Sequence, residues 1–112
     1  MIEQTVIGYL SDIVPTYAEE PETAPEEGLY CVVEKTGGGR SAPGIREAML
    51  AVQCYAPTLA GAAQLCEDVV ESMLEITALP SISHCELNSS YNNTDDRKKA
   101  YRYQAVFGIV YY

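Results

Sequence analysis

The final segment of the chain, AYRYQAVFGIVYY at residues 100–112, restricts the possible folds most. Polar Arg102 and Gln104 alternate with less polar neighbours, and this period of two predicts a strand with one solvated face at its start. Beyond Ala105 the polar residues stop, so we expect both faces of the strand to be covered there, by this chain or by another copy. The chain therefore needs a sheet that can receive this strand.

Length and charge narrow the class of protein. The 112 residues suit one domain, 1–112, with one modest core. Sixteen acidic and seven basic residues give a net charge of −9, which argues against binding to nucleic acid or to an anionic membrane. No apolar run approaches the roughly 20 residues that a membrane-spanning helix requires. We therefore predict neither nucleic-acid specificity nor a membrane partner.

The four cysteines, Cys31, Cys54, Cys66 and Cys85, are too far apart to form a C-x-x-C pair. His84 is the only histidine, so the sequence predicts no zinc site and no other cofactor. Three cysteines lie in predicted strands, and Cys66 lies on the apolar side of the predicted long helix. We expect four reduced, buried thiols that behave as small apolar side chains.

The pattern along the chain predicts an α+β domain in the order helix, β-hairpin, long helix, β-hairpin. The predicted elements are a helix over 1–14, strands over 29–34 and 46–56, a helix of about 20 residues that Thr58 caps and Pro80 ends, and strands over 81–91 and 100–112. Hairpins pair their strands antiparallel, so we expect a mainly antiparallel four-stranded sheet with a helix packed on one face.

Two loops in this pattern are distinctive. Residues 18–28 hold five glutamates and two prolines, which indicates an extended, solvated segment. It is either a solubilising linker or an acidic arm that meets a basic patch on a neighbour. Residues 35–44, KTGGGRSAPG, predict a flexible hairpin tip.

The glycine run at residues 37–39 does not match the pattern of a phosphate-binding loop. Lys35 precedes the glycines, and a strand follows them where a helix N-terminus would be needed. His84 lies within a predicted strand, which favours a structural role over that of a catalytic base. We therefore predict no enzyme and no catalytic residue.

The charged residues fall into groups of one sign. The basic candidates for an interface are Arg40, Arg97, Lys98, Lys99 and Arg102, and the acidic candidates are Glu67, Glu71 and Glu75 on one face of the long helix. One interpretation is a solvated loop that protects a sheet edge, together with a solvated helix face. The other is that the basic hairpin tips of one copy meet the acidic helix face of the next, head to tail.

Three segments, VVEKTGG, AVQCYAPTLAGAA and LNSSYNNTDDRKKAYRYQAV, resemble the small tail-terminator (tail-completion) proteins of long-tailed bacteriophages and prophages. The likeness covers residues 29–112. It implies a homohexameric ring in the neck of the virion, assembled in the cytoplasm of the bacterial host. Such a ring binds the tail-tube protein, stops tube growth and presents a surface to the head-completion (connector) protein.

Three alternatives stay open at this stage. The first is a head-closure (stopper) or minor capsid protein, which resembles a terminator in size and class. The second is a nucleotide binder that uses residues 37–40. The third is an acidic adaptor or inhibitor that binds a basic host protein.

Overall fold

The computed structural model describes residues 1–94 and 101–112. In these ranges the chain forms two α-helices, one 3₁₀ helix and a single sheet of five strands in the order β1-β2-β3-β5-β4. The elements are α1 (Ile2–Leu10), β1 (Thr16–Tyr17), β2 (Tyr30–Ala42), β3 (Ile45–Ala56), α2 (Leu59–Leu74), the 3₁₀ helix (Ile76–Ala78), β4 (Ile82–Asn92) and β5 (Tyr101–Tyr111).

The prediction of a mainly antiparallel four-stranded sheet is wrong, because the sheet has a fifth strand and is mixed. Strand β1 pairs in parallel with β2, with Thr16 opposite Cys31 and Tyr17 opposite Val32. The Cys31 N–H also donates to the carbonyl oxygen of Pro15 at 2.9 Å. A strand of two residues is too short to show an alternating pattern, so the sequence did not reveal it. The predicted hairpins β2–β3 and β4–β5 do form, and β5 lies between β3 and β4.

Helix α2 begins as predicted and ends earlier. The Thr58 hydroxyl oxygen accepts a hydrogen bond from the Gly61 N–H at 3.0 Å, a cap that contributes about 1 kcal/mol. The helix ends at Leu74 after 16 residues, and the chain tightens into the 3₁₀ helix before Pro80. Its buried face consists of Ala62, Leu65, Cys66, Val69 and Met73. Leu59, the first residue of the helix, is 42% exposed.

The core lies between the two helices and one side of the sheet, which we call the helix face. Leu50, Val52 and Phe107 of the central strands are fully buried there. Val6 and Leu10, one turn apart on α1, complete the same cluster. The opposite side of the sheet carries no helix in the described residues, and we call it the open face.

The glycine run is part of a strand, contrary to the predicted flexible tip. Strand β2 continues to Ala42, and residues 37–39 pair with residues 47–49 of β3. The sheet ladder uses backbone N–H and C=O groups, so strands pair even where side chains are missing. The hairpin closes instead at Pro43 and Gly44, where Gly44 has φ +79°, as a type II turn requires after proline.

Strand β5 is covered by this chain on the helix face alone. Ala105, Phe107 and Ile109 are buried, whereas Val106 and Val110 on the open face are half-buried. This chain by itself therefore covers the open face of β5 only in part. Cover by another copy stays a prediction.

Candidate functional site

Three basic side chains, Lys35, Arg40 and Arg46, lie together at one end of the β2–β3 hairpin, and we call them the basic end. All three line one surface pocket of about 350 Å³. The stem of Lys35 passes over Gly38, where a Cβ atom would lie 2.9 Å from the Lys35 Cε. The glycine therefore makes room for the lysine. Of these three bases, only Arg40 belonged to the predicted interface.

The bases of the basic end form no ion pair within 4.0 Å with a carboxylate of the described residues, although Glu47 lines the same pocket. Arg40 lies directly opposite Arg46 in the sheet register, an arrangement of like charges that destabilises a strand pair. Within residues 1–94 and 101–112, the one basic–acidic side-chain pair within 4.0 Å is His84 with Glu86, at 3.6 Å. A local arrangement that costs stability without compensation is expected where function requires it.

The predicted acidic residues of α2 do lie on one exposed face of the helix. Glu67, Glu71 and Glu75 are spaced four residues apart and all three are exposed. We call them the acidic ridge. Helix α2 packs over β3, β5 and β4, whereas Lys35 and Arg40 belong to β2. Two of the three bases of the basic end thus lie on a strand that α2 does not cover, and Arg46 lies on the neighbouring β3.

A groove that the sequence analysis missed runs between α2 and β4, with a volume of about 400 Å³. Glu67 and Glu71 of the acidic ridge line its rim. The rest of its lining consists of Ala63, Cys66, Val70, Leu87, Ser90 and Tyr103. Leu87, 38% exposed, is the signal that could have revealed this α2–β4 groove, since it stands among polar residues on an edge strand.

Arg102, predicted as an interface residue, makes its contacts inside the chain. Its Nε–H donates to the carbonyl oxygen of Asn93 at 2.8 Å. One terminal nitrogen donates to the Tyr55 hydroxyl at 3.2 Å, and the guanidinium carbon lies 5.7 Å from the centre of the Tyr55 ring. The charge of Arg102 is therefore engaged in a cation–π and hydrogen-bonded arrangement.

These contacts belong to a larger polar cluster on the open face, which we call the tyrosine network. The Gln53 and Gln104 side chains are joined at 3.1 Å, and Gln104 also donates to the Tyr91 hydroxyl at 2.5 Å. The members of the network are Tyr30, Gln53, Tyr55, Tyr91, Asn93, Arg102 and Gln104. Periodicity placed these residues, except Asn93, on strands, but long-range register decides which of them meet.

Tyr30 is the titratable group of the network whose pKa is clearly shifted. Its ring stacks on the Tyr55 ring with centroids 4.5 Å apart. Burial, reinforced by the carboxylate of Glu20, raises the pKa of Tyr30 to about 12. Glu20 belongs to the acidic 18–28 loop, so one residue of that loop interacts with the body of its own domain.

The predicted basic residues Arg97, Lys98 and Lys99 lie outside the described residues. Their described neighbours are at the end of the sheet away from Arg40, since Tyr101 pairs with Ala56 whereas Arg46 pairs with Tyr111. Among the residues that the structure describes, the predicted basic set is thus not gathered into one surface.

All four cysteines are free and buried, which confirms that prediction. The Sγ atoms of Cys31 and Cys54 are 3.8 Å apart. Hydrogen bonding with Cys31 and Cys66, together with burial, raises the pKa of the Cys54 thiol, so this thiol stays protonated and unreactive. Among residues 1–94 and 101–112, no three His, Cys, Asp or Glu side chains come together in a group suited to a metal ion.

Neither helix in the described part of the chain is long and apolar enough to cross a membrane. Comparison of the sequence with protein-family models and with curated proteins gives no match. The resemblance to tail terminators therefore stays a prediction.

Proposed function

We propose that this chain is a structural subunit of a long-tailed phage or prophage, a tail terminator that forms a ring on the last layer of the tail tube. In this role it stops tube growth and presents a surface to the head connector. The observation that supports the proposal best is that the bases of the basic end have no carboxylate of the described residues within 4.0 Å, while a separate surface, the acidic ridge on α2, exposes three carboxylates.

Two different surfaces of opposite charge favour one mode of self-association. If the basic end of one copy meets the acidic ridge of the next, the contact is head-to-tail, and such contacts close into a ring when the rotation between copies allows it. A ring of six is what the resemblance implies. The net charge of −9 makes copies repel each other at random orientations, so complementary patches also select the productive one.

The proposed function requires recognition and no chemical turnover. Each subunit contributes shape and charge, and the ring acts by occupying the end of the tube. The half-buried Val106 and Val110 of the open face are then available for cover by another protein of the assembly.

The test uses the tail-tube protein of the phage or prophage from which the chain comes. We expect the purified chain to form rings on tube ends and to shorten the tubes seen by electron microscopy. A variant with the three bases of the basic end changed to Gln should lose both effects. The matched control, Ser11→Glu with Thr23→Glu and Ala24→Glu, lowers the net charge equally at exposed sites elsewhere and should retain them.

Two outcomes would contradict the proposal. A chain that stays monomeric and leaves tube length unchanged is not a terminator. A chain that binds the connector but ignores the tube is a head-closure protein.

A further inference from the structure

The tip of the β2–β3 hairpin has the shape and charge of a plug. It consists of the exposed Ala42, Pro43 and Gly44 with half-buried Ile45, and the paired arginines Arg40 and Arg46 flank it. The turn is narrow because only Pro43 and Gly44 connect the two strands. Small apolar residues at the end and a positive charge on each strand make this tip suited to an apolar groove with an acidic rim.

The α2–β4 groove is a site of that kind. Its lining includes Val70, Leu87 and Tyr103, and its rim carries two exposed carboxylates, Glu67 and Glu71. The exposed Leu87 leaves apolar surface in water, and covering it stabilises a complex by about 25 cal/mol per Å².

We propose that the hairpin tip of one copy inserts into the α2–β4 groove of the next copy. This contact rests on the proposed ring assembly and defines which surfaces build it. Arg40 and Arg46 then face Glu67 and Glu71 across the rim, and the apolar tip lies over Leu87.

The spacing of the charges fits this contact. Arg40 and Arg46 are direct cross-strand partners, which places their Cβ atoms about 5 Å apart. Glu67 and Glu71 are one helical turn apart, which places their Cβ atoms about 5–6 Å apart. Two arginine–carboxylate pairs therefore form side by side, and arginine suits such pairs because its planar fork matches a carboxylate.

The contact also gives a reason for two features that are unfavourable in a single copy. The like-charged pair of arginines is neutralised by the carboxylates of the neighbour. The exposed leucine on an edge strand is covered, and the same docking shields the edge itself.

Disulfide trapping tests the proposal in the full chain, with the tail-tube protein present. The trapping variant carries Ala42→Cys at the tip and Ser90→Cys in the groove, both at exposed positions. On mild oxidation we expect covalent dimers and higher multimers on a non-reducing gel, all lost on reduction. The control pairs Ala42→Cys with Ser83→Cys, an exposed position of β4 that does not line the groove. It should remain uncrosslinked.

The outcomes separate this inference from the proposed function. Rings that form without covalent multimers, or equal cross-linking in the control, overturn the tip-in-groove contact and leave the ring proposal intact. Absence of rings with the wild-type chain overturns the proposed function itself. As a second measurement, Leu87→Asp should abolish ring formation while circular dichroism shows that the chain stays folded, and rings that persist in this variant also contradict the contact.

Discussion

The two ends of the β2–β3 hairpin differ in whether their polar side chains have partners within the chain. At one end, Tyr30 stacks on Tyr55 and the charge of Arg102 is held by a ring, a hydroxyl and a backbone carbonyl. At the other end, Arg40 and Arg46 lie opposite each other with no carboxylate of the described residues within 4.0 Å. Arginine is thus engaged within the chain at one end and has no carboxylate of the described residues within 4.0 Å at the other.

Because of this difference, we expect the side chains of one end to affect the stability of the fold and those of the other end to affect association. The tyrosine network exchanges hydrogen bonds with water for bonds within the chain, so its side chains should stabilise the fold. The basic end gains nothing comparable within one copy, so its side chains should contribute to association alone. Substitutions at the two ends should therefore affect different measurements.

The largest expected effect is that of Tyr55→Ala. The substitution removes a ring that is 5% exposed, its stack on Tyr30 and the hydroxyl that accepts from Arg102. We expect the free energy of unfolding in urea to fall by about 3–5 kcal/mol, as for other large-to-small changes at buried aromatic sites. A loss below about 1 kcal/mol would show that the network does not stabilise the fold.

A paired comparison of arginines sharpens the contrast. Arg102→Ala leaves the Asn93 carbonyl without its donor and should lower the free energy of unfolding by about 1–3 kcal/mol. Arg46→Ala, the matched control, relieves repulsion from Arg40 and should change that free energy by no more than about 0.5 kcal/mol. Urea denaturation of both variants is the measurement. Equal losses of unfolding free energy in the two variants would contradict the proposed difference between the two ends of the hairpin.

A smaller effect, confined to alkaline pH, should come from Tyr30. Its pKa is about 12 in the folded chain, against about 10 in an unfolded chain. Between these values the unfolded chain has released a proton that the folded chain retains, so stability is complete below pH 10 and declines as pH rises toward 12. The urea midpoint measured across this range should fall more in the wild type than in Tyr30→Phe, which keeps the ring stack. Identical slopes would contradict the raised pKa.

The sequence was sufficient to predict the elements that a local residue pattern specifies. Helix α2 has a capping threonine, so its start was predicted, although the helix ends at Leu74, earlier than the predicted end at Pro80. The alternation in residues 100–112 predicted the last strand to within one residue at each end. The predicted acidic face of α2 also forms, because residues four apart on a helix share a face.

The features that the sequence did not predict depend on pairing between segments that are far apart in the chain. Strand β1 forms because its two residues pair with β2. The glycines of β2 are in a strand because their backbone groups pair with those of β3. The α2–β4 groove and the tyrosine network depend on β5 lying between β3 and β4, an order that no local pattern encodes. For the same reason, Arg102 was predicted to be a surface charge although it contacts Tyr55.

The most direct test of the account is a charge exchange between the two surfaces. One variant has the three bases of the basic end changed to Glu, and the other has the three acids of the acidic ridge changed to Lys. Native mass measurement, with and without the tail-tube protein, should find each variant monomeric alone. An equimolar mixture should form closed assemblies with equal numbers of the two variants, because only contacts between unlike variants are then complementary. A mixture that stays as monomeric as its components would contradict association through these two surfaces.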